Sequence, residues 1–382
     1  MKVTWHIRSG VRRRRDGTVV RARFALAATL AASFVLAPPV GAVTGHSQSS
    51  TPAPRYGVGI ARCTFVDHSR GVLNYSSTPY RVSSTSRTLV TEIRYPAQYY
   101  AGGPTETVGA APVARSGGYP TVVFAHGYDV TPDTYAALLD AWVRAGFVVV
   151  APTFPDESAS AVAAQHGTNT ERDIVNEPGD LAFVTSAVLG ASANETSICP
   201  VAFGLVDPTA IALAGHSDGA DAVGMLAYGH GDDPQGVNYA SLRTGIAYRA
   251  VIVLSGAEDT YQSYATEASR PNLLVVQSRE DQCNPWRDAV QLYRGIHQSN
   301  KWFLELLTAH HLPPFDDRDA AAFDVVRTTT VRFLQMSLQG ITSSISLGAL
   351  GNQRPAVARM YFSANGPSMI NVAPVSEMCG PN

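Results

Sequence analysis

The sequence contains very little lysine, cysteine or tryptophan: two lysines, four cysteines and four tryptophans occur among 382 residues. It also has no internal repeat and no long low-complexity or charged tract, which excludes repeat and highly charged disordered chains. No cofactor-binding motif is present, so we expect no cofactor. With 45% hydrophobic and 16% charged residues, the chain can build one large domain or two small ones.

The first 42 residues have the pattern of a secretion signal. Seven arginines precede or border an apolar stretch at 24–37, and "PPVGA" ends in small residues that suit cleavage after Ala42. The apolar stretch is 14 residues long, which is short for a bilayer span. We therefore expect export to the cell exterior or envelope without stable membrane insertion; a membrane anchor or an upstream false start are the alternatives. Residues 43–55 are expected to be a linker.

Net charge argues against nucleic acid as a partner. Eight of the 29 basic residues and one of the 31 acidic residues lie in 1–42. The remainder therefore has 21 basic and 30 acidic residues, a formal charge of −9. A chain this acidic is not expected to bind a phosphate backbone. A small-molecule or polymeric substrate fits better, and the oligomeric state is left open.

Cysteine spacing fits no zinc pattern, so we expect no metal site. All four cysteines lie after the signal, and an even number in an exported chain favours two disulfides. Three pairings are possible and the sequence does not choose among them. We favour Cys63–Cys199 with Cys283–Cys379, which would hold the C-terminal tail near Cys283.

Apolar runs alternate with helical patterns along residues 56–340. This order predicts a mostly parallel central sheet with helices on both faces, formed by one domain over these residues. The last residues, 341–382, show no clear period and are expected to be an extension packed on that domain. The predicted strands are 56–67, 87–96, 121–127, 147–152, 209–215, 248–256, 271–278 and 301–308, and the predicted helices are 132–146, 178–190, 218–229, 286–296 and 318–340.

The motif "GHSDG", residues 215–219, lies between a predicted strand and a predicted helix. A G-x-S-x-G sequence at that junction forms a sharp turn that exposes the serine hydroxyl, and the flanking glycines avoid steric clashes. We therefore predict Ser217 as a nucleophile, with Gly215 and Gly219 shaping the turn. The alternative is a chance match to a short motif.

A serine nucleophile needs a base, and the base needs an orienting acid. Both follow the serine, each in a loop after a later strand. The loop after 271–278 supplies Asp281, our preferred acid, with Glu280 as its neighbour and alternative; Glu258 and Asp259 follow an earlier strand. "TAHHLPPF" supplies two candidate bases, His310 and His311.

Two main-chain amides are expected to bind the negative oxygen that forms during attack on a carbonyl. One is Asp218 N–H, at the start of the helix. The other is Tyr128 N–H, in the loop after "TVVFAHG", whose side chain would also form a wall of the cleft. His126 and His216 flank the site and are expected to be structural. The segment 153–176 is expected to arch over the site.

These motifs resemble two branches of the α/β-hydrolase superfamily over residues 57–340. "GVGIARCTFVDHSRG", "YPTVVFAHGY" and "GHSDGA" are similar to secreted platelet-activating-factor acetylhydrolases and the predicted dienelactone hydrolase group. "PNLLVVQSREDQCNPW" and "KWFLELLTAHHLPPF" are similar to the acid and histidine loops of bacterial cutinases and polyester hydrolases. The second resemblance implies His311 as the base, with His310 in a position that holds a small residue in the family. True dienelactone hydrolases use a cysteine where this chain has Ser217.

The resemblance implies the α/β-hydrolase fold and an exported serine hydrolase that cleaves carboxylic esters through Ser217, His311 and Asp281. The alternative is a ligand-binding, peptidase or acyltransferase member of the same fold, because fold alone does not fix activity. A large apolar lid is not evident in the sequence, which favours short-chain or solvent-accessible esters over buried triglycerides.

Overall fold

The computed structural model describes residues 56–100, 105–165, 170–229, 238–256, 271–297, 300–342, 345–363 and 366–367. The expected secretion signal and linker lie outside the described residues. Within the described segments, none of the helices combines the length and the apolar character that crossing a bilayer requires.

Twelve strands and eight α-helices occur in the described segments. The strands are β1 (Gly57–Asp67), β2 (Val72–Asn74), β3 (Arg81–Ser84), β4 (Arg87–Ala97), β5 (Glu106–Val108), β6 (Tyr119–Ala125), β7 (Val148–Thr153), β8 (Val206–His216), β9 (Tyr248–Leu254), β10 (Asn272–Ser278), β11 (Lys301–Leu306) and β12 (Ala358–Phe362). The helices are α1 (Ala136–Arg144), α2 (Ala159–Ala164), α3 (Glu177–Ala193), α4 (Asp218–Tyr228), α5 (Tyr239–Leu242), α6 (Trp286–Gly295), α7 (Ala320–Gln339) and α8 (Leu347–Gly351). Short 3₁₀ helices cover Pro132–Tyr135, Thr170–Asn176 and Pro200–Ala202.

Ten of the strands form one sheet in the order β12-β11-β10-β9-β8-β6-β7-β4-β1-β5. The six strands from β7 to β11 in this order, with β6 and β8 at the centre, pair in parallel. On one side β4 pairs antiparallel with β7 and with β1, and β1 pairs in parallel with the edge strand β5; on the other side β12 pairs antiparallel with β11. The predicted fold class, a mostly parallel sheet, is therefore confirmed.

The strands at the sheet centre are mostly apolar because both of their faces are buried over most of their length. Every residue of β6 is buried, and its side chains alternate between two cores. Helices α3, α4 and α6 cover one core, and helices α1 and α7 cover the other. Burying a valine, leucine or phenylalanine side chain contributes about 1.5–3 kcal/mol, so the two cores hold the sheet rigid beneath the ends of its strands.

The described part of the predicted C-terminal extension contains helix α8 and strand β12, and the strand joins the central sheet. Strand β12 pairs antiparallel with β11, from Trp302 opposite Phe362 to Leu306 opposite Ala358. The sequence shows no period here because an edge strand has one exposed side and only five residues.

A disulfide joins Cys63 in β1 to Cys199, which directly precedes the 3₁₀ turn after α3. Both residues are buried and their Cα atoms are 5.5 Å apart, a normal spacing. This is the pairing that the sequence analysis favours. Cys283 is also disulfide-bonded, and its expected partner, Cys379, lies outside the described residues.

A buried arginine connects the sheet to the segment before α3. The Arg87 guanidinium, fully buried in β4, donates to Asp173 Oδ2 at 2.6 Å and to Asp180 Oδ2 at 2.6 Å. Arg70 adds a second cation at Asp180 Oδ1, 2.7 Å away. Because both aspartates are fully buried, they depend on these cations for their charge to be tolerated.

Replacing Arg87 with methionine is expected to destabilise the protein by about 3–5 kcal/mol, since two buried carboxylates lose their main partner. The matched control is Arg354→Met, which removes an exposed pair with Asp324 and should cost about 1 kcal/mol or less. Urea unfolding followed by tryptophan fluorescence measures both. Equal costs for the two variants would contradict this account of the buried pair.

Candidate active site

Ser217 lies at the turn between β8 and α4 with a left-handed backbone, φ 55° and ψ −126°. This conformation is unfavourable for a residue with a side chain, and such strain is typical of functional sites. Ser217 N–H donates to Leu254 O at 3.0 Å, and Ser217 O accepts from Ala220 N–H at 2.8 Å. The turn is therefore held from both sides, and the serine side chain lies above the end of the sheet.

The two glycines of the turn are required by close backbone contacts. A Cβ on Gly219 would lie 2.5 Å from the carbonyl oxygens of both Ala125 and His126. A Cβ on Gly215 would overlap the backbone of Gly219. Real Cβ atoms do not approach this closely, so neither position accepts a side chain without moving β6 or α4.

The three side chains predicted as nucleophile, base and acid lie in contact. Ser217 Oγ is 3.0 Å from His311 Nε2. His311 Nδ1 is 3.0 Å from both carboxylate oxygens of Asp281. All three residues are buried, Ser217 at 9% exposure being the most accessible. In this arrangement Nδ1–H donates to the carboxylate, which leaves Nε2 to accept the serine proton.

The Asp281 carboxylate is fixed by its own loop. Its Oδ1 accepts from the main-chain amides of Cys283 at 2.8 Å and Asn284 at 2.9 Å, and its Oδ2 accepts from Gln277 Nε2 at 3.0 Å. The neighbouring acid Glu280 is exposed. The acids that follow the earlier strand β9, Glu258 and Asp259, lie outside the described residues.

The loop after β11 turns His311 inward and His310 outward. His311 is 4% exposed, whereas His310 is exposed. Ser278 Oγ donates to Ala309 O, and His311 N–H donates to Gln282 Oε1 at 3.2 Å. These bonds connect the loop that carries His311 to the end of β10 and to the loop that carries Asp281. The two loops are therefore held at a fixed relative position.

The loop after β6 is held at three backbone groups, two in Gly127 and one in Asp129. Gly127 N–H donates to Tyr135 Oη at 3.2 Å, His126 Nδ1 lies 2.8 Å from Gly127 O, and Asp129 N–H donates to Glu157 O at 2.9 Å. Tyr128 N–H makes no hydrogen bond with the described residues. It is therefore left for a ligand, as an oxyanion donor must be.

The His126 ring sets the direction of that amide. Its Nε2 accepts from Phe154 N–H at 3.0 Å, so the proton is on Nδ1 and donates to Gly127 O. In a trans peptide the C=O and the next N–H point in opposite directions, so fixing Gly127 O also orients Tyr128 N–H. Burial lowers the pKa of His126 to about 4, which keeps the ring neutral near pH 7.

The Tyr128 side chain is half-buried, and its hydroxyl is 3.0 Å from Thr170 Oγ1. Thr170 begins the 3₁₀ helix that the Arg87 ion pairs attach to the sheet. Part of the segment 153–176 therefore contacts the predicted oxyanion residue. Residues 166–169 within it lie outside the described residues.

A pair of buried glutamates lies near Asp218, and the sequence analysis does not predict it. Glu157 and Glu177 are fully buried and interact with each other, and outside this pair their four carboxyl oxygens have no hydrogen-bond partner among the described residues. Burial raises the pKa of both groups well above the usual carboxyl range, and the nearby Asp218 charge raises it further. No sequence signal marks them, because each glutamate stands in a polar segment.

Replacing Glu177 with glutamine is expected to stabilise the protein more as pH rises. The carboxyl pKa values are raised in the folded state, so the wild type loses stability as pH rises above the unfolded value near 4.5. Melting temperatures of wild type and Glu177→Gln between pH 5 and pH 8 test this; the difference should grow in favour of the variant. The control is the exposed Glu195→Gln, and a difference that is constant with pH in both variants would refute the expectation.

One group of potential metal ligands occurs in the described segments: Asp281, Cys283 and His311, whose donor atoms lie within 4.8 Å of one another. The Cys283 sulfur is in a disulfide and offers no thiolate. The remaining two side chains bond to each other. This donor set does not suit a metal centre.

The mostly parallel sheet, the strained serine turn and the order serine, acid, histidine along the chain are those of the α/β-hydrolase fold. The structure of ferulic acid esterase from Streptomyces cinnamoneus superimposes with a TM-score of 0.59, at 18% sequence identity, over 82% of this chain and 98% of that chain. This likeness confirms the predicted fold.

The family model described as Chlorophyllase matches residues 86–255. That range runs from β4 to β9 and includes Ser217, but Asp281 and His311 lie beyond it. No curated protein matches this chain.

Proposed function

We propose that this protein is an exported serine hydrolase that cleaves carboxylic esters through an acyl-enzyme. The observation that carries the proposal is the unbroken contact from Ser217 Oγ to His311 and on to Asp281, each step 3.0 Å long. The likeness to a ferulic acid esterase and to the Chlorophyllase family supports an ester substrate.

The proposed reaction begins when His311 Nε2 takes the Ser217 proton as Oγ attacks the ester carbonyl. The carbonyl oxygen becomes negative and accepts hydrogen bonds from Tyr128 N–H and Asp218 N–H. Collapse expels the alcohol, which receives the proton from His311, and leaves an acyl-serine. Water then attacks the acyl-serine with His311 as base, releasing the acid and restoring Ser217. Asp281 holds the imidazole and stabilises its cationic form.

Export is supported by the buried Cys63–Cys199 disulfide, since such bonds persist in oxidising compartments. Cleavage after Ala42 would remove the basic leader. N-terminal sequencing of the protein from the culture medium should then begin at Val43.

Ser217→Ala and His311→Ala are each expected to lower kcat by about 10⁴-fold or more with folding intact, because the three side chains act as a unit. His310→Ala is the matched control and should stay within about threefold of wild type, since its exposed side chain lies outside the contact chain. p-Nitrophenyl butyrate hydrolysis measures all three. Full activity in Ser217→Ala would disprove the mechanism.

A fluorophosphonate probe separates the proposed hydrolase from a ligand-binding member of the fold. It should label wild type at Ser217, located by peptide mass spectrometry, and should not label Ser217→Ala. An unlabelled wild type would favour a binding protein, and faster turnover of amides than of matched esters would favour a peptidase.

We expect kcat/KM to decrease as the acyl chain of the ester lengthens, because the sequence shows no large apolar lid. p-Nitrophenyl acetate and butyrate should be cleaved at least about tenfold faster than the palmitate ester, as kcat/KM, if the site offers no deep acyl channel. Methyl ferulate tests whether an aromatic acyl group is accepted. Higher kcat/KM for palmitate would contradict the short-chain preference and indicate a lipase.

A further inference from the structure

A chain of buried hydrogen bonds runs from the loop after β6 to the loop after β11, passing beneath Ser217. Gly127 N–H donates to Tyr135 Oη at 3.2 Å, and Tyr135 Oη is 2.8 Å from His216 Nδ1. His216 Nε2 is 3.1 Å from the main-chain oxygen of His311. Tyr135 and His216 are both buried, so bulk water does not compete for these bonds.

The direction of every bond in this chain is determined by its two ends. An amide N–H only donates, so Tyr135 Oη accepts from Gly127 and gives its own proton to His216 Nδ1. A carbonyl oxygen only accepts, so His216 Nε2 carries the ring proton and donates it to His311 O. The ring therefore has one donor and one acceptor, as a neutral histidine does.

The surroundings of His216 agree with that neutral form. Burial lowers its pKa well below the usual value, and the nearby His311 lowers it further. The His216 ring also packs against the rings of His311, with centroids 4.6 Å apart, and Phe315, at 4.9 Å. Its position is thus fixed by packing as well as by hydrogen bonds.

We propose that Tyr135 and His216 are positioning residues that hold the oxyanion loop and the base loop at a fixed spacing on either side of Ser217. The inference rests on the proposed function, because it assigns these residues to the ester hydrolysis described above. Neither side chain hydrogen-bonds to Ser217 Oγ or to the His311 ring. They act through the Gly127 amide, next to the predicted oxyanion donor, and through the main chain of His311.

Spacing matters here because Gly127 lies directly against the nucleophile. A Cβ on Gly127 would be 2.9 Å from Ser217 Cβ. Without Tyr135 Oη, the buried Gly127 N–H loses its hydrogen-bond partner, which costs free energy. The peptide group that precedes Tyr128 is then less constrained against rotation. A displacement of about 1 Å in a preorganised site costs on the order of 100-fold in rate.

The first experiment compares Tyr135→Phe with Tyr248→Phe. Tyr248 is a buried tyrosine whose hydroxyl bonds Thr185 at 3.3 Å, away from Ser217, so it controls for loss of a buried hydroxyl. Tyr135→Phe should lower kcat by about 10- to 100-fold with KM within about threefold. A trifluoromethyl ketone, which forms an oxyanion on the serine, should lose affinity by the same factor as kcat/KM. Equal kinetics in the two variants would overturn the inference.

The second experiment compares His216→Gln with His216→Phe. Glutamine keeps one donor and one acceptor, whereas phenylalanine keeps only the packing. His216→Gln is expected to retain at least about tenfold more kcat than His216→Phe at similar melting temperature. An equal loss of kcat in the two variants would show that activity depends on the packing of this side chain and not on its hydrogen bonds, and would refute the positioning role.

A third measurement does not depend on turnover. In ¹⁵N-histidine spectra, His216 should remain the neutral Nε2–H tautomer from pH 5 to pH 9, and Tyr135→Phe should shift its Nδ1 resonance. A Nδ1–H tautomer, or a His216 that titrates near pH 6.5, would overturn the inference. If wild type cleaves no ester but His216 shows the expected tautomer, the proposed function fails while the hydrogen-bond chain stands.

Discussion

The close approach of helix α4 to the end of strand β6 is the contact on which the rest of the site depends. Gly219 packs against the carbonyl oxygens of Ala125 and His126, where a Cβ would be 2.5 Å away. The same approach gives Ser217 its left-handed backbone and brings the helix amides toward the loop after β6. The nucleophile turn and the predicted oxyanion loop are therefore one packed unit, and neither moves without the other.

Backbone hydrogen bonds to buried neutral rings complete that unit. His126 holds Gly127 O, and His216 with Tyr135 holds Gly127 N–H. Surface ion pairs would be screened by salt and would lose side-chain entropy on ordering. Buried bonds are screened much less by salt, and because their donors and acceptors are all assigned they allow a single geometry.

Sequence patterns predict the centre of this structure far better than its edges. The runs that became β6 to β11 are buried on both faces, so continuous apolar residues mark them. The β2–β3 hairpin, β5 and β12 are short and partly exposed, and carry no such run. Ser217, Asp281 and the two histidine candidates follow from chain order, but contacts such as Tyr135 with His216, 81 residues apart, have no local signal. Only the family resemblance distinguishes His311 from His310 as the predicted base. The conformation of the loop determines which ring turns inward, and the sequence carries no local signal for it.

The acidic groups around Ser217 have to be compatible with the negative oxygen that forms in the proposed mechanism. Asp218 lies in the first turn of α4, where the helix N-terminus offsets a carboxylate. Glu157 and Glu177 have no ion-pair partner among the described residues, and ionising both would place uncompensated charge beside the oxyanion. Burial raises the pKa of both carboxyl groups, which disfavours their ionised forms. Asp281 lies on the far side of His311 from Ser217, where the proposed mechanism needs a carboxylate to stabilise the imidazolium.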